Sequence, residues 1–103
     1  MQNSLQYTEH ALTRMHQRCL SIHDVQYVVL YGQQYRCAGV VHYFLGRRNI
    51  PTNDCRKDFL RRLEGTTVLV DSLEGRLVIT VYRNRSALKS IRRKAKTNLK
   101  LHA

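Results

Sequence analysis

Acidic side chains are scarce in this chain. Seven Asp and Glu stand against 18 Lys and Arg over 103 residues, and no acid follows Glu74. The resulting net charge of +11, with a sequence pI near 10.2, rules out a self-neutralised surface. A like-charge excess of this size opposes compaction, so it points to an anionic partner. Nucleic acid comes first and an acidic protein second. Long apolar runs are also missing, which excludes a membrane-spanning helix. The opening residues lack a signal-peptide pattern, and the expected compartment is the cytoplasm.

Cysteine is limited to Cys19, Cys37 and Cys55, widely spaced and with no Cys-x-x-Cys. A disulfide framework is therefore not expected. His10, His16, His23 and His42 show no recognised ligand spacing, so neither a metal nor another cofactor is expected. There is no P-loop, no Gly-x-Gly-x-x-Gly and no Gly-x-Ser-x-Gly, and the cysteines have no patterned histidine partner. Proline occurs once, at Pro51.

What is present reads as one globular domain with 43% hydrophobic residues. Thr8 is a candidate N-cap for a helix to about Arg18, with Ala11, Leu12 and Met15 on its inner side. Ser21, with Asp24 three residues on, predicts a second capped helix. Its inward positions would be Ile22, Val25, Val28 and Val29, and Gly32 would end it in a left-handed cap. The period then shortens to two. Strands are predicted over 34–38, 40–45, 65–71 and 77–83, the last two forming a hairpin. A loop over 47–53 and a helical turn or loop over 54–63 separate the two pairs. Leu88, Ile91, Ala95 and Leu99 fall at spacings of three and four, predicting a basic amphipathic helix within 86–103. The expected fold is α+β: two N-terminal helices packed on a four-stranded antiparallel sheet over residues 1–85, with the basic C-terminal helix or tail in the same domain.

Three constellations can carry chemistry. His10, Arg14 and Arg18 recur every four residues and so form one helical stripe beside the core. Imidazole is the side chain best suited to proton transfer near neutral pH, and guanidinium groups clamp phosphate with several donors each. The plainer alternative is a solvated helix face. Thr80 and Tyr82 share one face of the last strand, Ile79 and Val81 the other, and Arg83 stands at its end. Tyr can stack on a base or donate a proton, and Arg can steady a pentavalent phosphate; ordinary β-propensity explains the same residues without chemistry. The third is the basic segment. From Arg83 to the end there are eight Lys or Arg, among them Arg85, Lys89, Arg92, Arg93, Lys94 and Lys96. Cations spread around a helix hold phosphate without reading sequence, though a solvated helix docked by its apolar stripe fits equally.

His10-Ala11-x-x-Arg14-Met15-x-x-Arg18, followed by Ser21 and a Val-rich helix ending at Gly32, resembles an uncharacterised family of small prokaryotic proteins. Leu63–Val70 and Val78–Arg85 resemble the same family's sheet segments. In layout that family is similar to the RelE and BrnT toxins. The resemblance implies a metal-independent endoribonuclease of toxin–antitoxin type, acting on RNA such as ribosome-associated mRNA and partnered by an antitoxin protein. His10 would act as acid or base, Arg14 and Arg83 would stabilise the charged transition state, Tyr82 would stack or donate a proton, and Thr80 would lie beside them. Arg18 and the basic tail would bind the RNA. The rival expectations are a non-catalytic nucleic-acid-binding module and a protein-interaction domain with a basic docking face.

Overall fold

The computed structural model describes residues 5–50 and 60–84. The described chain starts with a two-residue strand, β1 (Gln6–Tyr7), and two helices, α1 (Glu9–Gln17) and α2 (Ile22–Tyr31). A hairpin follows, β2 (Gln33–Cys37) and β3 (Val40–Phe44), then short 3₁₀ turns at Arg47–Asn49 and Arg61–Leu63. A second hairpin, β4 (Thr66–Asp71) and β5 (Leu77–Arg83), completes it. The strands form one sheet in the order β1-β5-β4-β3-β2. Among the described residues no helix is long and apolar enough to cross a membrane.

The expectation of a four-stranded antiparallel sheet is corrected on two counts. The sheet has five strands, and β1 pairs parallel to β5, with Gln6 opposite Leu77 and Tyr7 opposite Val78. Two residues are too few to show an alternation, and the partner lies at the far end of the domain. The expected helix within 86–103 lies outside the described residues and has no support in the structure. So do Pro51, Cys55, the first part of the 54–63 turn, and Arg85, Lys89, Arg92, Arg93, Lys94 and Lys96.

Both predicted helix starts are built as their sequences dictate. The Thr8 hydroxyl accepts from the Ala11 N–H at 3.0 Å and donates to the Ile79 carbonyl at 2.8 Å. It therefore caps α1 and ties it to β5. Ser21 and Asp24 form a full capping box at the start of α2. The ends differ from expectation. Gly32 takes φ −69°, an ordinary extended geometry rather than a left-handed one. Glycine is needed there for space, because a Cβ would fall on the Val28 carbonyl oxygen and crowd Phe44. The left-handed residue is instead Cys19, at φ 56°, just past α1. Leu20 N–H bonds Met15 C=O and Cys19 N–H bonds His16 C=O, which together make a Schellman motif. Its apolar pair, Met15 and Leu20, is buried.

The helices cover one face of the sheet. Ala11, Met15, Val25 and Val28 meet Val68, Val70, Val78 and Val81 in the main core. Each such valine contributes about 1.5–3 kcal/mol when fully buried. Leu12 and Ile22, expected inward, are about half exposed. Ile79, expected inward beside Val81, is displaced by a β-bulge. Leu69 pairs with Thr80 and Val70 with Val78, leaving Ile79 as the extra residue. The bulge resets the alternation, so that Val78 and Val81, three apart, both reach the core. On the other face Phe44 packs with Tyr35 and Tyr82.

Candidate functional site

β5 runs alongside α1 in the same direction. Thr8 meets Val78 and Ile79 at one end, and the last residues of both elements meet at the other. An open cleft of about 440 Å³ lies at that second end, lined by Gln17, Arg18, Cys19, Arg83 and Asn84. No acid lines it.

Each wall has a covalent and hydrogen-bonded reason for its place. The first wall is the Schellman turn, where the left-handed Cys19 turns the chain away from α1 and leaves Arg18 exposed at the rim. The second is the end of β5. Arg83 follows Val81 by two residues and so points to the helix side of the sheet. Its Nε donates to the Glu64 carbonyl at 2.9 Å, and the neighbouring Asn84 N–H donates to the Gly65 carbonyl at 2.9 Å. These bonds aim the Arg83 guanidinium while leaving its two Nη groups without a partner among the described residues. Arg18 has none either. Two guanidiniums at one cleft with no described acid in its lining repel each other, and an anion between them converts that repulsion into two charge-assisted contacts.

The other candidate residues lie apart from this cleft. His10 is exposed near the N-terminal end of α1. Eight residues at about 1.5 Å each put it roughly 12 Å along the axis from Arg18, far beyond hydrogen-bonding reach of a shared phosphate. Arg14 is half-buried between them and does not line the cleft. Thr80 and Tyr82 lie on the opposite face of the sheet from α1, since they alternate with the core residue Val81. Tyr82 packs there against Phe44, directly across from Thr67. Burial pushes its phenol above the ordinary tyrosine value. The sheet thus stands between the His10 stripe and Tyr82. Of the described residues singled out above, the cleft brings together Arg18 and Arg83.

Gln17, Cys19 and Asn84 were not foreseen as lining residues. One signal was available. Met15 and Leu20 are five apart with a non-helical residue between, which is the spacing of the apolar pair in a Schellman motif. Read that way, Arg18 and Cys19 fall at the helix end, on the turn. His42, the strand histidine, is buried on the second face of the sheet, in register with Tyr35 and Leu69. Among the described residues no three His, Cys, Asp or Glu side chains gather where they could hold a metal ion.

Residues 7–83 match a family model described as Domain of unknown function (DUF4258). No curated protein and no solved structure matches the chain.

Proposed function

Because the chain belongs to the DUF4258 family, whose description names no activity, we propose a function from its own residues: it binds RNA by the phosphate backbone, with Arg18 and Arg83 as a two-guanidinium clamp. The observation that carries this reading is that Arg18 and Arg83, from separate elements and with Nη groups that have no partner among the described residues, line one cleft that no described acid lines. In a chain of net charge +11, such a cleft is the focus of a wider attraction for polyanions. Its concave shape suits a single strand, since a duplex groove needs a protruding helix or ribbon to enter it and both described helices lie against the sheet. The resemblance to RelE and BrnT toxins favours RNA over single-stranded DNA, and a cytoplasmic setting agrees with it.

Binding ranks ahead of cleavage. A metal-independent endoribonuclease needs a base for the 2′-hydroxyl and an acid for the leaving 5′-oxygen. The clamp could stabilise the phosphorane, but neither His10 nor Tyr82 lines the cleft. The test is a titration of labelled single-stranded RNA in EDTA across a salt series. Wild type should bind with a steep salt dependence and leave the RNA intact. Arg18→Ala/Arg83→Ala should flatten the slope of log K against log salt by about 1.4, the share of two single-strand phosphates. Arg36→Ala/Arg47→Ala, which removes equal charge outside the cleft, should change it less. Equal behaviour of the two double variants would refute the clamp. Fragments with 2′,3′-cyclic ends, lost in His10→Ala, would move the reading to the nuclease. Binding to an acidic protein but not to RNA would favour an antitoxin-type partner.

A further inference from the structure

Both walls of the cleft lead back to one carboxylate. Asp24 is buried in the first turn of α2, the one buried acid among the described residues. Its Oδ2 accepts from the Ser21 N–H at 2.9 Å, and Ser21 in turn caps Asp24 N–H at 3.1 Å. Ser21 directly follows Arg18-Cys19-Leu20, so this bond anchors the far side of the turn that presents Arg18. The other oxygen, Oδ1, accepts from the Arg62 guanidinium at 2.8 Å. Arg62 sits in the 3₁₀ turn Arg61–Leu63, whose next residues are Glu64 and Gly65. Those two supply the carbonyls that hold Arg83 Nε and Asn84 N–H. Leu63, next to Arg62 in the same turn, is fully buried in the core.

We propose that Asp24 is the positioning residue of the cleft, one carboxylate oxygen fixing the Arg18 wall and the other fixing the Arg83 wall. This rests on the RNA-binding reading above. Asp24 touches no RNA, and it acts through Ser21 and through Arg62. The arrangement gives an acid a favourable role in a polyanion-binding protein. Its negative charge is taken up by the Ser21 N–H and by an ion pair with the partly exposed Arg62, and what reaches the cleft is the spacing of two guanidiniums.

The sign of one substitution separates this from simple electrostatics. Asp24→Asn raises the net charge by one, from +11, which by charge alone strengthens RNA binding. The positioning role requires the reverse. An asparagine can still accept from Ser21 with its carbonyl, but its NH₂ faces the Arg62 donor, so the Arg83 wall loses its tie to α2. RNA affinity should fall about threefold to tenfold, and the salt slope should flatten by about 0.7, the share of one single-strand phosphate. Asp24→Glu, which keeps both acceptor oxygens, should recover most of the slope. Circular dichroism reports whether each variant folds. If Asp24→Asn does not, Arg62→Gln decides. Arg62 is partly exposed, and its loss leaves the Ser21–Asp24 box in place. Arg62→Gln should weaken RNA binding several-fold more than Arg36→Gln, an exposed arginine of equal charge on β2. Binding by Asp24→Asn as tight as wild type or tighter, or equal effects of Arg62→Gln and Arg36→Gln, would overturn the proposal. The Arg18→Ala/Arg83→Ala pair, run in the same titration, keeps the outcomes distinct: its failure removes the clamp itself, whereas its success with a silent Asp24→Asn removes only the positioning role.

Discussion

Replacing Thr8 by Ala tests whether one hydroxyl serves two elements. In the folded chain that oxygen accepts from the Ala11 N–H and donates to the Ile79 carbonyl at the β5 bulge. Loss of an N-cap side chain costs about 1 kcal/mol. Leaving the partly buried Ile79 carbonyl without its donor costs about 1 kcal/mol more. The sum, about 2 kcal/mol, corresponds to a fall of roughly 8–16 °C in Tm for a domain of this size. Ser21→Ala, which removes a cap side chain with no such second bond, should cost about half as much. Two further variants divide the effect. Thr8→Ser keeps donor and acceptor and should lie near wild type. Thr8→Asp restores the cap acceptor but sets a carboxylate against a carbonyl, so it should recover the helix and not the link to β5. Urea and thermal unfolding, followed by far-ultraviolet circular dichroism, measure all four. Equal losses for Thr8→Ala and Ser21→Ala, or full recovery in Thr8→Asp, would refute the double role.

Two further outcomes follow from the turn and the box beside the cleft. Cys19 holds a left-handed conformation that costs an L-residue about 1–2 kcal/mol, so Cys19→Gly should raise stability by about 0.5–1 kcal/mol after the extra freedom glycine has when unfolded; a drop in the urea midpoint would contradict this. Burial pushes the Asp24 carboxyl up, but the Ser21 N–H and the Arg62 guanidinium outweigh it and hold the group below the usual carboxylate range. Its contribution is thus fully present above the unfolded carboxylate value and disappears as pH falls through the folded one. As pH falls through and below the usual carboxylate range, wild type should lose unfolding free energy more steeply than Asp24→Asn, and parallel pH profiles for the two would exclude that linkage.

Much of the fold could be read from residue order because the signals were local. Thr8, Ser21 and Asp24 announce helix starts by short-range hydrogen bonding, and the β4–β5 hairpin announces itself by alternation around a Gly-bearing turn. Other features depend on contacts that no local pattern carries. β1 exists only because Gln6 and Tyr7 find β5, and two residues have no period. The bulge at Ile79 changes which valines face inward, so strict alternation misassigns Ile79. In the sequence Gly32 looks like a conformational requirement, whereas its place is set by the nearby Val28 carbonyl. For the site, parity rightly separates Tyr82 from Arg83 within one strand. What parity cannot say is which face the helices cover, and that choice leaves His10 on one side of the sheet and Tyr82 on the other.

The bond from Thr8 to Ile79 spans 71 residues, and this makes the first helix the last to be secured during synthesis. Closing a loop of that length costs about 4 kcal/mol in chain entropy. At roughly 5–20 residues per second, the ribosome needs about 4–14 s to deliver the partner carbonyl after Thr8 has been made. For that interval α1 has its cap but neither the strand it docks on nor the apolar surface its Ala11 and Met15 are built to meet. The β2–β3 hairpin and the capped α2 can form earlier from neighbours in sequence. The cleft between α1 and β5 therefore comes into being only when the final described strand arrives, so a prematurely terminated chain would carry Arg18 without the partner that gives it a use.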